Sequence, residues 1–129
     1  SIETPIYDFS THTRISETKT LTPKALVIIE GILVLHAPAI RAWTDYGVFV
    51  GCEEGVRYAR RSQRDIVERG RTPDDIERQF FTQVVPMHSE FVEPSSEHAD
   101  MIITDAEHGL RDADVDRFVE LCVRLKAGV

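Results

Sequence analysis

The residues with the most obvious capacity for chemistry are arginines. Arg57, Arg60, Arg61, Arg64, Arg69 and Arg71 stand within one short stretch of a chain whose formal net charge is -7. At the helical repeat Arg57, Arg61 and Arg64 share one face, while Arg69 and Arg71 flank Gly70. A guanidinium group offers a rigid fork of donors that matches phosphate oxygens, so such a cluster aimed at one point is a phosphate clamp. The same residues also read as a solvated helix face laced by i,i+4 pairs to Glu53, Glu54, Asp65 and Glu68. Composition alone favours that second reading, since surface charge runs usually contribute little.

Two smaller constellations accompany the arginines. The segment Pro5-Ile6-Tyr7-Asp8-Phe9-Ser10-Thr11-His12-Thr13-Arg14 gathers aromatic rings, an imidazole and a carboxylate. Such a loop either sandwiches a planar ring or forms a hydrogen-bonded turn. Glu30, next to Gly31, ends an apolar run at what would be the carboxyl end of a buried strand, where ligands of open α/β sheets gather. A buried acid there is either functional or paired.

Several other chemistries fail on spacing. The lysines Lys19, Lys24 and Lys126 follow Thr, Pro and Leu, so no GxxxxGK[ST] phosphate loop is present. No glycines stand two apart, which removes the dinucleotide fingerprint. The five histidines form no HExxH pattern, and His98 with Asp100 is too sparse a pair to predict a metal site. No Ser, His and Asp set has specific support as a hydrolytic triad.

The elements that must position these groups read as one α/β domain over residues 1–129. Apolar residues make up 42% of the chain and charged residues 29%, enough to bury a core and remain in solution. The acidic balance argues against nucleic acid as a partner. The longest apolar run, residues 25–35, is broken by Glu30 and falls short of the roughly 20 residues of a membrane span. Cys52 and Cys122 lie far apart and outside any CxxC pattern, which suits a reduced, cytoplasmic setting. Residues 1–24 read as loop with short extended pieces. Residues 25–29 and 46–50 read as buried parallel strands, and residues 101–104 as a third strand. Pro38 opens a short helix. A helix over residues 53–69 carries Val56, Ala59, Ile66 and Val67 as its apolar stripe, with Gly70 after it. Thr72, Pro73 and Asp75 open another helix that runs toward Phe91, with Pro86 expected to kink or end it. Residues 114–127 form an amphipathic closing helix.

Taken in order, several blocks together resemble the uridine kinase family, with pantothenate kinases and phosphoribulokinases as its relatives. They are Pro5-Ile6-Tyr7-Asp8-Phe9 with His12 and Arg14, and Val27-Ile28-Ile29-Glu30-Gly31-Ile32-Leu33. Arg60-Arg61, Arg64-Asp65-Ile66 and Glu68-Arg69-Gly70-Arg71 follow. Gln79, Pro86-Met87, Phe91, Glu93-Pro94 and Ala99-Asp100-Met101-Ile102-Ile103 complete the match. The resemblance implies a P-loop kinase fold, with a parallel sheet, flanking helices and an arginine-rich lid. It implies transfer of the γ-phosphoryl group of ATP or GTP, with Mg2+, to the 5′-hydroxyl of uridine or cytidine in pyrimidine salvage. Tyr7 and His12 would read the pyrimidine edge, with Phe9 packed near the ring. Arg61, Arg71 and Gln79 would hold the nucleoside, and Arg64 and Arg69 would form a lid over the triphosphate.

The family's phosphate loop, proton-accepting aspartate and ribose-binding aspartate precede the matching region. The expectation is therefore the last two thirds of a kinase domain, without the P-loop strand and helix and with no catalytic residue of its own. The implied partners are a pyrimidine nucleoside, a nucleoside triphosphate and further copies of the chain, and no membrane. The alternative is a non-catalytic, degenerate kinase module kept for nucleoside or nucleotide binding or for subunit assembly.

Overall fold

The β-branched residues Thr13, Ile15, Thr18 and Thr20 favour extended backbone, and in a computed structural model they form one strand of a hairpin. The structure describes residues 1–8, 11, 13–106 and 109–128, and of Asp105 and Ala106 the backbone only. It divides into two compact units, Ser1–Ile28 with Glu120–Val129, and Ile29–Val119.

In the first unit, β1 (Ile2–Asp8) pairs antiparallel with β2 (Thr13–Leu21). The register shifts between Pro5 and Tyr7, where Ile6 on β1 faces the longer stretch 15–17 on β2. Glu3 accepts hydrogen bonds from the Thr20 and Thr18 hydroxyls, which hold its carboxyl below its ordinary pKa. The loop expected over residues 1–24 is thus a two-stranded ribbon. Cross-strand side-chain pairs define it rather than a buried face, since nearly every residue in it is exposed.

In the second unit, β3 (Val48–Cys52) and β4 (Met101–Ala106) form a parallel ladder, and β5 (Gly109–Leu110) adds antiparallel to β4. Gly47 sets the β3–β4 register. Its N–H donates to Asp100 Oδ2 at 2.7 Å, and its carbonyl accepts from the amides of Asp100 and Met101. A Cβ at Gly47 would stand 3.0 Å from Leu35 Cδ2 and 3.2 Å from the His98 carbonyl, so glycine permits this approach. Leu35, Ile76, Phe80, Met101 and Ile103 are the buried apolar side chains of the unit, with Tyr58 against the Phe80 ring. Among the described residues no helix is long and apolar enough to cross a membrane.

The helices follow their capping signals. After α1 (Pro38–Arg41), α2 (Glu54–Arg69) begins with an acid and ends with a base, as the helix dipole favours. α3 (Pro73–Gln79) starts on Thr72, whose hydroxyl accepts the Asp75 N–H while donating to the Asp75 carboxylate. Pro86 neither ends the helix nor leaves it regular. The chain passes through wide turns at Phe80–Val84 and His88–Val92 on either side of α4 (Val85–Met87), then a tight one at Glu93–His98. The Val85 and Glu93 amides reach carbonyls five residues back, a widening that accommodates a residue lacking its own donor. α5 (Asp112–Ala127) closes the chain, its first turn tied by Arg111 to the buried Asp114 at 2.8 Å.

Two expectations are corrected here. Residues 25–29 form no strand, and Val27, Ile28 and Ile29 are each more than half exposed. A continuous apolar run becomes a strand only where neighbours supply ladder bonds along its edges, and among the described residues none pairs with it. The stripe on α2 is also displaced. Ala59, Ile66 and Val67 face solvent, and the covered positions are Val56, Arg57, Tyr58, Arg61, Ser62 and Asp65. Four of these six are polar, which marks the helix as part of a site rather than plain core.

Candidate functional site

Asp65 is the buried charge on α2, fully shielded from solvent. Burying a carboxylate is costly unless it is paired and hydrogen-bonded, so its partners define the site. Arg64 directs both Nε and Nη2 at Asp65 Oδ1, each at 2.9 Å. Arg69 Nη1 reaches the same oxygen at 3.2 Å. Arg61 Nε and Arg71 Nη1 approach Oδ2, both at 3.5 Å. Burial opposes ionisation of Asp65, but the Arg64 hydrogen bond and the charges of Arg64, Arg69 and Arg61 outweigh it and hold the carboxyl below its ordinary pKa.

The backbone is organised around the same residue. Gly70 takes a left-handed conformation with φ 60°, and the amides of Gly70 and Arg71 both donate to the Asp65 carbonyl. That turn is what carries Arg69 and Arg71 back toward the helix. From α3, Gln79 Oε1 accepts from Arg61 Nη2 at 2.9 Å and from Arg71 Nη1 at 2.7 Å.

Arg61, Arg64, Arg69, Arg71 and Gln79, five of the positions expected to bind nucleoside or triphosphate, therefore meet in one cluster. Arg64 and Arg69 remain 44% and 48% exposed, whereas Arg61 and Arg71 are 23% and 31% exposed. A guanidinium carries five N–H donors, so these contacts leave donors over for a ligand. Among the described residues, Arg61 Nε and Ser62 Oγ are buried without a hydrogen-bond partner. Arg57 turns elsewhere, its Nε donating to the Cys52 carbonyl at 3.1 Å.

The remaining candidates are placed differently. Tyr7 belongs to the first unit, in β1 opposite Arg14 and 45% exposed. Phe9 and His12 lie outside the described residues. Glu30 is exposed in an irregular segment, so the buried strand end that singled it out is absent. Asp65 was missed as a site residue because pattern alone makes it one acid among several in i,i+4 reach of arginine. The available signal was its place inside Arg64-Asp65-Ile66, directly ahead of the Gly70 turn.

A model of the family described as Phosphoribulokinase / Uridine kinase matches residues 1–116, most of the chain. The chain belongs to that family. Its relatives include the uridine kinase of Clostridium botulinum (strain Okra / Type B1), 48% identical over 107 residues, which are 83% of this chain and 52% of the relative. The uridine kinase of Clostridium perfringens (strain ATCC 13124) is 44% identical over 115 residues, 89% of this chain and 55% of its own. That of Ligilactobacillus salivarius (strain UCC118) is 45% identical over 105 residues, 81% and 49% respectively. The chain spans about half the length of these uridine kinase relatives.

The parallel β3–β4 pair with helices is consistent with the α/β kinase fold of this family. The donors left over on Arg64 and Arg69 are chemically suited to an anion such as a phosphate. A divalent cation is a different matter: no group of three or more His, Cys, Asp or Glu among the described residues could hold one.

Proposed function

We propose that this chain forms the nucleoside-recognition and arginine-lid part of a uridine kinase-like phosphotransferase. The reaction moves the γ-phosphoryl group of ATP or GTP to the 5′-hydroxyl of uridine or cytidine. One observation carries the reading: four arginines converge on a single buried carboxylate, and Gln79 bridges two of them. Phosphoryl transfer depends mainly on positioning and on neutralising charge, and a cationic cluster beside a helix exit serves both needs. The more exposed Arg64 and Arg69 act on the triphosphate. Arg61, Arg71 and Gln79, more enclosed and mutually bonded, give fixed polar contacts to the nucleoside. Tyr7, Phe9 and His12 take the pyrimidine. The relatives compared are uridine kinases, which favours a pyrimidine nucleoside.

The alternative is a non-catalytic module that holds a nucleoside or nucleotide. On that reading the chain binds ligand without turnover. Calorimetric titration of the 129-residue chain with uridine and with ATP, alongside a uridine-dependent ATP turnover assay, tests both. Binding without turnover is expected. His12→Ala should weaken uridine binding selectively, and Arg64→Ala should weaken ATP binding with a clear salt dependence. Equal effects of each variant on both ligands overturn the role assignment, and no heat with either ligand overturns the proposal.

A further inference from the structure

We infer that Asp65 is a positioning residue that holds Arg61, Arg64, Arg69 and Arg71 as one preformed receptor for an oligophosphate. The inference rests on the reading above and adds a residue to it. Being fully buried, Asp65 cannot touch a ligand and acts only through the guanidinium groups. Both of its oxygens are engaged, Oδ1 by Arg64 and Arg69 and Oδ2 by Arg61 and Arg71. Its carbonyl meanwhile anchors the Gly70 turn from which Arg69 and Arg71 project.

Four like charges on neighbouring residues repel and would otherwise spread into solvent, each losing side-chain freedom anew when a ligand gathers them. A single carboxylate beneath them meets that ordering cost in the folded chain, which is the advantage of preorganisation. It neutralises only part of the cluster, so the assembled face stays cationic. Because the carboxylate is inaccessible, a phosphate does not displace it. The anion adds to the exposed donors of Arg64 and Arg69 while the inner contacts persist.

Asp65→Asn separates positioning from charge, because it preserves shape while making the cluster more positive. Electrostatics alone predicts tighter binding of inorganic tripolyphosphate, whereas positioning predicts weaker binding. We expect the Kd of the folded variant to rise by about tenfold, the scale on which supporting partners tune bound sites. Its salt dependence should be shallower, as fewer arginines engage at once. Equal or tighter binding by a folded Asp65→Asn chain overturns the inference and leaves wild-type phosphate binding, and so the functional reading, standing. Failure of the wild type to bind tripolyphosphate overturns both.

Nitrogen-15 spectra of the wild-type arginine side chains decide the matter should the variant not fold. The Arg64 Nε proton should exchange slowly and remain protected as tripolyphosphate saturates, while the Arg64 and Arg69 signals shift. Rapid exchange of that proton in the free chain, or its release on saturation, overturns the inference.

Discussion

Gln79 offers the sharpest test of the cluster, because one amide oxygen serves two guanidinium groups on another helix and its exit turn. Gln79→Leu keeps most of the side-chain volume and removes that oxygen. The two bonds lost are 2.9 and 2.7 Å long and both donors are charged, a class worth about 1.5–3 kcal/mol each. The full sum does not apply. Arg61 and Arg71 retain 23% and 31% exposure, so water replaces part of what is removed, and both keep their approach to Asp65. A net loss of about 2 kcal/mol is expected. With a urea slope of about 2 kcal/mol/M this moves the unfolding midpoint down by about 1 M. A double-mutant cycle with Arg71→Met should give a coupling energy of about 1 kcal/mol, since the residues touch directly. Urea denaturation of the four proteins supplies every term. A midpoint unchanged by Gln79→Leu, together with zero coupling, would refute the bridge, and the division of the arginines into inner and outer pairs would fall with it.

Three further outcomes rest on the same contacts. The depressed Asp65 carboxyl adds stability at pH above its ordinary value of 3.8, and that stability is lost as pH falls through the lower folded value. The melting-temperature gap between wild type and Asp65→Asn should therefore close in acid, and a gap independent of pH would contradict the pairing. His88 is depressed first by burial and then by the Arg57 charge, against the pull of Glu93 and Glu54. Its neutral form is favoured in the fold, so stability present above 6.5 declines as pH drops below it. An imidazole titration followed by NMR should place the folded midpoint under 6.5, and a midpoint above that value would reverse the sign. Phe80 is 2% exposed and packs on Tyr58 and Phe81. Phe80→Ala should cost about 3–4 kcal/mol in chemical denaturation, and a loss below about 1 kcal/mol would mean the site's supporting core is placed wrongly.

What could be read from sequence was local chemistry. Thr72, Pro73 and Asp75 announce a helix start through their own hydrogen-bonding groups, and Gly70 announces an exit because the left-handed turn carries no Cβ penalty there. Those signals mark the end of α2 and the start of α3, and with them the positions of Arg69 and Arg71. Properties that depend on partners were not legible in the same way. Residues 25–29 have a strand's composition and lack a strand's neighbours, while residues 13–21 have modest hydrophobicity and find a partner in β1. The direction in which α2 faces was misread for a related reason. Apolar spacing selected Ile66 and Val67, yet a carboxylate with four arginine partners can be buried while an isoleucine beside it stays 43% exposed.

The two sequence readings of the arginine stretch, a phosphate clamp and a helix face laced by ion pairs, are physically linked through Asp65. Ion pairs scattered over Glu53, Glu54 and Glu68 would neutralise each guanidinium separately and turn it toward its own acid. Here a single carboxylate takes Arg61, Arg64, Arg69 and Arg71 together, and its complete burial means that it binds them only from beneath. One negative charge cannot cancel four positive ones, so the same contacts that fix the side chains leave their outer donors cationic and exposed. In a chain of net charge -7 that local excess is the feature an anionic ligand would find, and its geometry is settled before the ligand arrives.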